Sequence, residues 1–151
     1  MKELFKEIWR PVKGFEGLYE VSDLGNVRSL DRTITEKNTL RKKLIKGKHL
    51  KLINNSHNYY MVHFYKNGKS YTKMVHRYVA QAFPEICGEW FEGCEVDHIN
   101  TNSLDNRAVN LKVCTSKENH NNPLTRINNS NAKKGNIPWN KGLYGWKRKR
   151  A

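Results

Sequence analysis

Asp97 and His98 stand side by side, Asn110 follows 12 residues after the histidine, and Asn119 follows 21 residues after it. All four lie in the stretch EVDHINTNSLDNRAVNLKVCTSKENHNN. A carboxylate and a carboxamide oxygen suit a hard divalent cation, and an imidazole titrates near neutrality and can carry a proton. Metal-assisted cleavage of a phosphodiester requires these groups together, so the residue types point first to a nuclease.

The elements that must position them can be read from local pattern. Glu95-Val96-Asp97 reads as a short strand and Leu111-Lys112-Val113 as its partner, with the Asn- and Asp-rich loop 100–110 between them. Thr115-Ser116-Lys117-Glu118 fits a capping box, so a helix is expected from about Ser116, with Asn119 in its first turns facing back toward the strand ends. Pro123 should limit that helix to about two turns. Neighbouring side chains of a regular strand point to opposite faces, so Asp97 and His98 can converge on one phosphate only if the strand ends or bends there.

Upstream, 8–75 is β-like. Leu18-Tyr19-Glu20-Val21 and Val27-Arg28-Ser29-Leu30 flank the turn formers Ser22-Asp23-Leu24-Gly25-Asn26. Tyr59–Tyr65 and Ser70–Met74 flank Asn67-Gly68, a strong hairpin signal. Arg41, Lys42 and Lys43, with Lys46, Lys48 and Lys51, form a basic connection that either lies along a phosphate backbone or is solvated. Val75, Tyr78, Val79, Ala82 and Phe83 mark one buried helical stripe, which Pro84 ends. Arg77 lies off its centre and could reach a phosphate, and His76 caps the core or does likewise.

The chain has 151 residues, a mean hydropathy of −0.84 and 37% hydrophobic residues, enough for a modest core. Lys and Arg number 28 against 14 acids, a charge of +14 that favours a polyanionic partner. The distribution is uneven. Residues 1–75 carry 16 basic and 7 acidic side chains, 76–118 carry 4 and 7, and 119–151 carry 8 and none. An acidic centre between basic flanks fits a cation site held between phosphate-gripping arms; scattered solvated Glu85, Glu89, Glu92 and Glu95 would produce the same count.

No segment approaches the ~18 apolar residues of a spanning helix, and MKELFKEIWR is too charged for a secretory signal. Cys87, Cys94 and Cys114 show no CxxC pairing, which argues against a disulfide framework or a zinc ribbon. An intracellular, reduced and thus cytoplasmic protein is expected. His49, His57, His63 and His120 read as ordinary surface or sheet histidines.

From Asp97 to Asn119 the chain resembles the HNH endonucleases, the ββα-metal or His-Me finger nucleases, and most closely their phage and intron-associated homing members. The flanking VHRYVAQAF at 75–83 and Asn110-Leu111 match as well, and EIWRPVKGFEGLYEVSDLGNVRSL resembles the nuclease-associated modular element thought to bind DNA. The likeness covers most of 7–122; 135–142 resembles another such repeat more loosely.

The resemblance implies an α+β fold: a small N-terminal antiparallel β region, a ββα-metal motif and a basic, extended tail. The corresponding units are 1–56, 57–127 and 128–151. It further implies one Mg²⁺ or Mn²⁺ ion on Asp97 and Asn119, His98 as general base, and Asn110 as the support of the loop and imidazole. His120 stands where a family histidine could bind instead, although the spacing favours Asn119. The partner is double-stranded DNA, with no membrane and no organic cofactor, and the chain acts as a monomer or homodimer. Contacts are expected from Arg28, Arg41, Lys42, Lys43 and Arg77, and from a flexible tail carrying Lys133, Lys134, Trp139, Lys141, Lys147 and Arg148. The alternatives are a non-catalytic DNA-binding module that keeps the fold, or a basic RNA-binding protein.

Overall fold

The computed structural model describes residues 6–35 and 40–134. Three short strands open the chain: β1 (Trp9–Pro11), β2 (Tyr19–Ser22) and β3 (Val27–Ser29), in the antiparallel order β1-β2-β3. The turn formers expected between β2 and β3 make a tight reversal in which Gly25 takes φ +85° and Ser22 Oγ accepts the Asn26 N–H at 3.0 Å.

The basic connection is more structured than its sequence implied. β4 (Arg32–Thr35) and β5 (Lys42–Ile45) pair antiparallel as a ribbon of their own, with most of its residues exposed. Then β6 (Ile53–Asn54) pairs with β7 (Tyr60–Lys66), which pairs with β8 (Lys69–Met74). Asn67 and Gly68 close the β7–β8 hairpin at φ +52° and +74°, the pair of left-handed residues that a two-residue turn of matching twist needs. The boundary expected at 56/57 falls between paired strands of this sheet.

Helix α1 (Val75–Ala82) follows β8 directly, and Pro84 serves as the first residue of a short α2 (Pro84–Cys87). The buried side of α1 is rotated from the expected stripe. Val75, His76, Val79 and Ala80 are buried, while Tyr78 and Ala82 are only half-buried. The reason is that α1 is covered from two sides, by the N-terminal sheet and by the C-terminal hairpin, and His76 faces the latter.

One hydrophobic core runs through all of this. Phe15 and Tyr19 of the N-terminal region pack on Phe64 of β7 with ring centroids 4.9 and 4.6 Å apart. Val12, Val21 and Val27 join Val62, Val75, Val79, Phe83 and Leu111 in the same cluster. Arg10 ties β1 to the helices through the Ala82 carbonyl at 2.8 Å and Glu85 at 2.7 Å. Glu85, counted in the acidic centre, is therefore a structural partner.

The last elements are β9 (Glu95–His98), β10 (Leu111–Cys114), α3 (Ser116–His120) and α4 (Pro123–Lys134), with a 3-10 turn at Ala108–Asn110 before β10. Pro123 ends one helix and begins another, because Asn122 Oδ1 accepts the Leu124 N–H at 3.0 Å and caps it while proline occupies the first turn. The segment expected to start an extended arm at Asn128 is thus helical through Lys134. Trp139, Lys141, Lys147 and Arg148 lie outside the described residues.

Candidate active site

β9 and β10 pair antiparallel with Asp97 opposite Lys112 and His98 opposite Leu111. The strand ends at His98. The Thr101 N–H then donates to the His98 carbonyl at 2.7 Å, with Thr101 itself in the left-handed region at φ +62°. That turn meets the geometric condition set by adjacent residues: Asp97, His98 and Asn119 line one cavity of about 210 Å³, together with Tyr59, Val96, Thr101, Ser103 and Thr125. Asp97 also borders an open groove of about 790 Å³, lined by Lys112, Lys117, Asn122 and Leu124 among others.

Asn119 reaches this position because α3 is capped. Thr115 and Glu118 make the reciprocal box, with the Thr115 N–H donating to Glu118 Oε2 at 2.8 Å and Thr115 Oγ1 accepting the Glu118 N–H at 3.3 Å. Its carboxamide nitrogen donates to Glu95 Oε2 at 2.6 Å. That contact commits the nitrogen branch of the amide and leaves the oxygen branch as the one that can meet a cation. His120 points elsewhere: it is exposed, and its Nδ1 lies 2.7 Å from the Ser116 carbonyl of its own helix.

Asp97 is held in a similar way. Asn122 Nδ2 donates to Asp97 Oδ2 at 2.7 Å, while the capping bonds of its Oδ1 fix the amide the right way round. Pattern reading identified neither Glu95 nor Asn122 as part of the site. Glu95 was available to it, since residues two apart on a strand share a face and Glu95 stands two before Asp97 on β9.

Asn110 is buried and braces the loop. Its Oδ1 accepts the Asn100 N–H at 3.0 Å, and its Nδ2 donates to Asn100 Oδ1 at 3.0 Å and to the Asp105 carbonyl at 2.9 Å. The imidazole is held by a different residue, the buried Asn106, whose Oδ1 lies 3.2 Å from His98 Nε2. His76 and Tyr59 flank the His98 ring at centroid distances of 5.1 and 5.9 Å. Burial lowers the affinity of His98 for a proton, against the opposing pull of Asn106, Asp97 and Asp105. His76 is pushed down to about 3, by burial first and then by His98 and Arg77, so it is neutral here.

Among the described residues, no three His, Cys, Asp or Glu side chains gather to hold a metal. A cation at this site needs a mixed carboxylate and carboxamide donor set, and Asp97 with Asn119 provides one of the hard oxygen type that Mg²⁺ prefers. Cys87, Cys94 and Cys114 are buried and free.

The basic residues expected to meet a polyanion divide into three groups. Arg41, Lys42, Lys43, Arg77 and Lys134 are exposed. Arg77 stacks on Trp90 at 5.0 Å and acts electrostatically on Glu95, on the edge of the site. Arg28, in contrast, is committed inside the fold: it pairs with Glu20 at 2.6 Å and lies 4.2 Å from the Trp9 ring. Lys133 belongs to α4.

A β-hairpin crossed by a capped helix, with Asp, His and Asn converging on one cavity, defines a ββα nuclease-type site. Residues 73–121 match the HNH endonuclease model, and residues 7–65 match that of the NUMOD4 motif. The chain is 34% identical over 118 residues to the DNA endonuclease I-HmuI of Bacillus phage SP01, a match covering 78% of this chain and 58% of the relative. It is also 34% identical over 121 residues to the uncharacterized HNH endonuclease L247 of Acanthamoeba polyphaga mimivirus, covering 78% of this chain and 25% of that one. The solved structure of the HNH homing endonuclease I-HmuI, which describes DNA binding and cleavage, superposes with a TM-score of 0.64 at 35% identity. That superposition covers 84% of this chain and 64% of the other. The chain therefore spans less than two thirds of the length of these relatives.

Proposed function

We propose that the chain is a divalent-metal-dependent DNA endonuclease of the homing type, hydrolysing phosphodiester bonds of double-stranded DNA in the cytoplasm. The observation that carries this reading is the convergence of Asp97, His98 and Asn119 on one cavity in a ββα unit. Asp97 and Asn119 would hold one Mg²⁺ or Mn²⁺ ion. When bound, such an ion supplies Lewis acidity and countercharge for the departing 3′ oxygen. His98 takes a proton from water as the water oxygen attacks phosphorus and the bond to the 3′ oxygen breaks. A neutral imidazole is needed for that step, and burial keeps His98 neutral near physiological pH. Asn110 supports the loop that presents it. Arg77, Arg41, Lys42, Lys43, Lys133, Lys134 and the tail residues Trp139, Lys141, Lys147 and Arg148 would meet the DNA.

The test is conversion of supercoiled plasmid carrying candidate target sites, with Mg²⁺, Mn²⁺ or EDTA, by the wild type beside His98→Ala. Metal-dependent nicking or linearisation by the wild type, absent in the variant although DNA binding persists, is the expected outcome. Equal cleavage by the two proteins overturns the role of His98. DNA binding with no metal-dependent product favours a binding module, and preference for single-stranded RNA over duplex DNA favours the RNA-binding reading.

A further inference from the structure

The turn between β2 and β3 touches the catalytic loop directly. The Asp23 carbonyl accepts the Ala108 N–H at 2.8 Å, across 85 residues of sequence. Two residues on, Gly25 lies so close to Asn106 that a Cβ there would stand 2.9 Å from both Asn106 Cβ and its carbonyl oxygen. Asn106 is 4% exposed, and its side-chain oxygen meets His98 Nε2 at 3.2 Å. Among the described residues Asn106 Nδ2 has no hydrogen-bond partner, and the contact with His98 is the side chain's one polar engagement there.

The oxygen of a carboxamide can only accept. An imidazole nitrogen facing it must carry a hydrogen, which makes His98 the Nε2–H tautomer and leaves the lone pair on Nδ1. His76 and Tyr59 restrain the ring plane, but neither determines which nitrogen is protonated. We infer that Asn106 is a positioning residue that selects the tautomer and orientation of His98, and that the NUMOD4 motif forms part of the catalytic apparatus because its Asp23–Gly25 turn seats Asn106. The inference rests on His98 being the general base.

The test uses the full chain. In ¹⁵N-histidine spectra of the metal-free protein at a pH where His98 is neutral, the wild type shows His98 as Nε2–H. Asn106→Ala loses that signature, and its kcat falls about a hundredfold, the scale expected of a misplaced base. KM for DNA and Mn²⁺ affinity stay within about twofold of the wild type, and Asn106→Asp, which keeps an acceptor, recovers at least about tenfold of the lost rate.

Gly25→Ala introduces both backbone strain and the clash. Gly25→Asn keeps the clash in a residue type that tolerates positive φ. Gly14→Ala has the same strain at φ +84° with nothing within 4 Å of the new Cβ. Both Gly25 variants are expected to perturb the tautomer and lower kcat by about tenfold or more, while Gly14→Ala leaves both unchanged.

An Nδ1–H tautomer in the wild type, or an Asn106→Ala protein that cleaves at full rate while His98→Ala is inactive, overturns the role of Asn106. Gly25→Asn behaving as Gly14→Ala overturns the part assigned to the turn. Full cleavage by His98→Ala is a different failure, that of the base assignment itself.

Discussion

At the scale of single residues, the site depends on side chains that hold the reactive ones. Glu95 takes the nitrogen of Asn119 at 2.6 Å, which decides which end of that carboxamide can face a cation. Glu95→Ala should therefore weaken Mn²⁺ binding by about tenfold, measured by electron paramagnetic resonance without any turnover. Affinity equal to wild type would show that Asn119 orients itself. His76 yields a prediction of another kind. Its folded value of about 3 lies below the ordinary 6.5, so below about pH 6.5 the unfolded chain takes up a proton that the native state refuses. The stability that comes from His76 being neutral is thus present above pH 6.5 and lost as pH falls toward 3. Urea denaturation should show about 2 kcal/mol lost to this group between pH 7 and 5, and His76→Leu should flatten that slope. An unchanged slope would mean that His76 is charged or exposed.

At the scale of elements, α3 has five residues, too few to be stable from propensity alone. It exists because the box between Thr115 and Glu118 satisfies its first amides and because Asn119 is tied to β9. Thr115→Ala should cost about 1 kcal/mol in chemical denaturation and loosen Mn²⁺ binding in parallel. Loss of stability with metal affinity intact would separate the cap from the site. The break at 121–122 matters as well, since Asn122 caps α4 with its oxygen and holds Asp97 with its nitrogen. The start of one helix and the orientation of one carboxylate are thereby the same event.

At the scale of the whole molecule, basic residues that look alike in sequence are sorted into exposed ones and ones committed inside the fold. Arg41, just before β5, and Lys42 and Lys43 in the β4–β5 ribbon are exposed, and a two-stranded ribbon gains stability from a partner it can lie against. Each Lys on a phosphate contributes about 0.9 to the slope of log K against log salt, so Lys42→Ala/Lys43→Ala should lower that slope by nearly 2 in a DNA titration. An unchanged slope would place the ribbon away from DNA. Arg28, equally basic in sequence, is neutralised by Glu20 and should matter for stability instead.

The sequence by itself determined what depends on local backbone chemistry and on spacing along the chain. The Asn67-Gly68 hairpin, the Thr115 capping box, the β9–β10 pairing and the Asp97, His98, Asn110, Asn119 pattern are each encoded within a few tens of residues. Tertiary structure alone decided the contacts between distant elements: Gly25 against Asn106, Asp23 with Ala108, His76 beside His98, and Phe15 and Tyr19 on Phe64. Periodicity says which face of an element is buried but not what will cover it. For that reason α1 hid His76 rather than Tyr78, and a turn that sequence could name only as a reversal came to pack against Asn106 and Ala108.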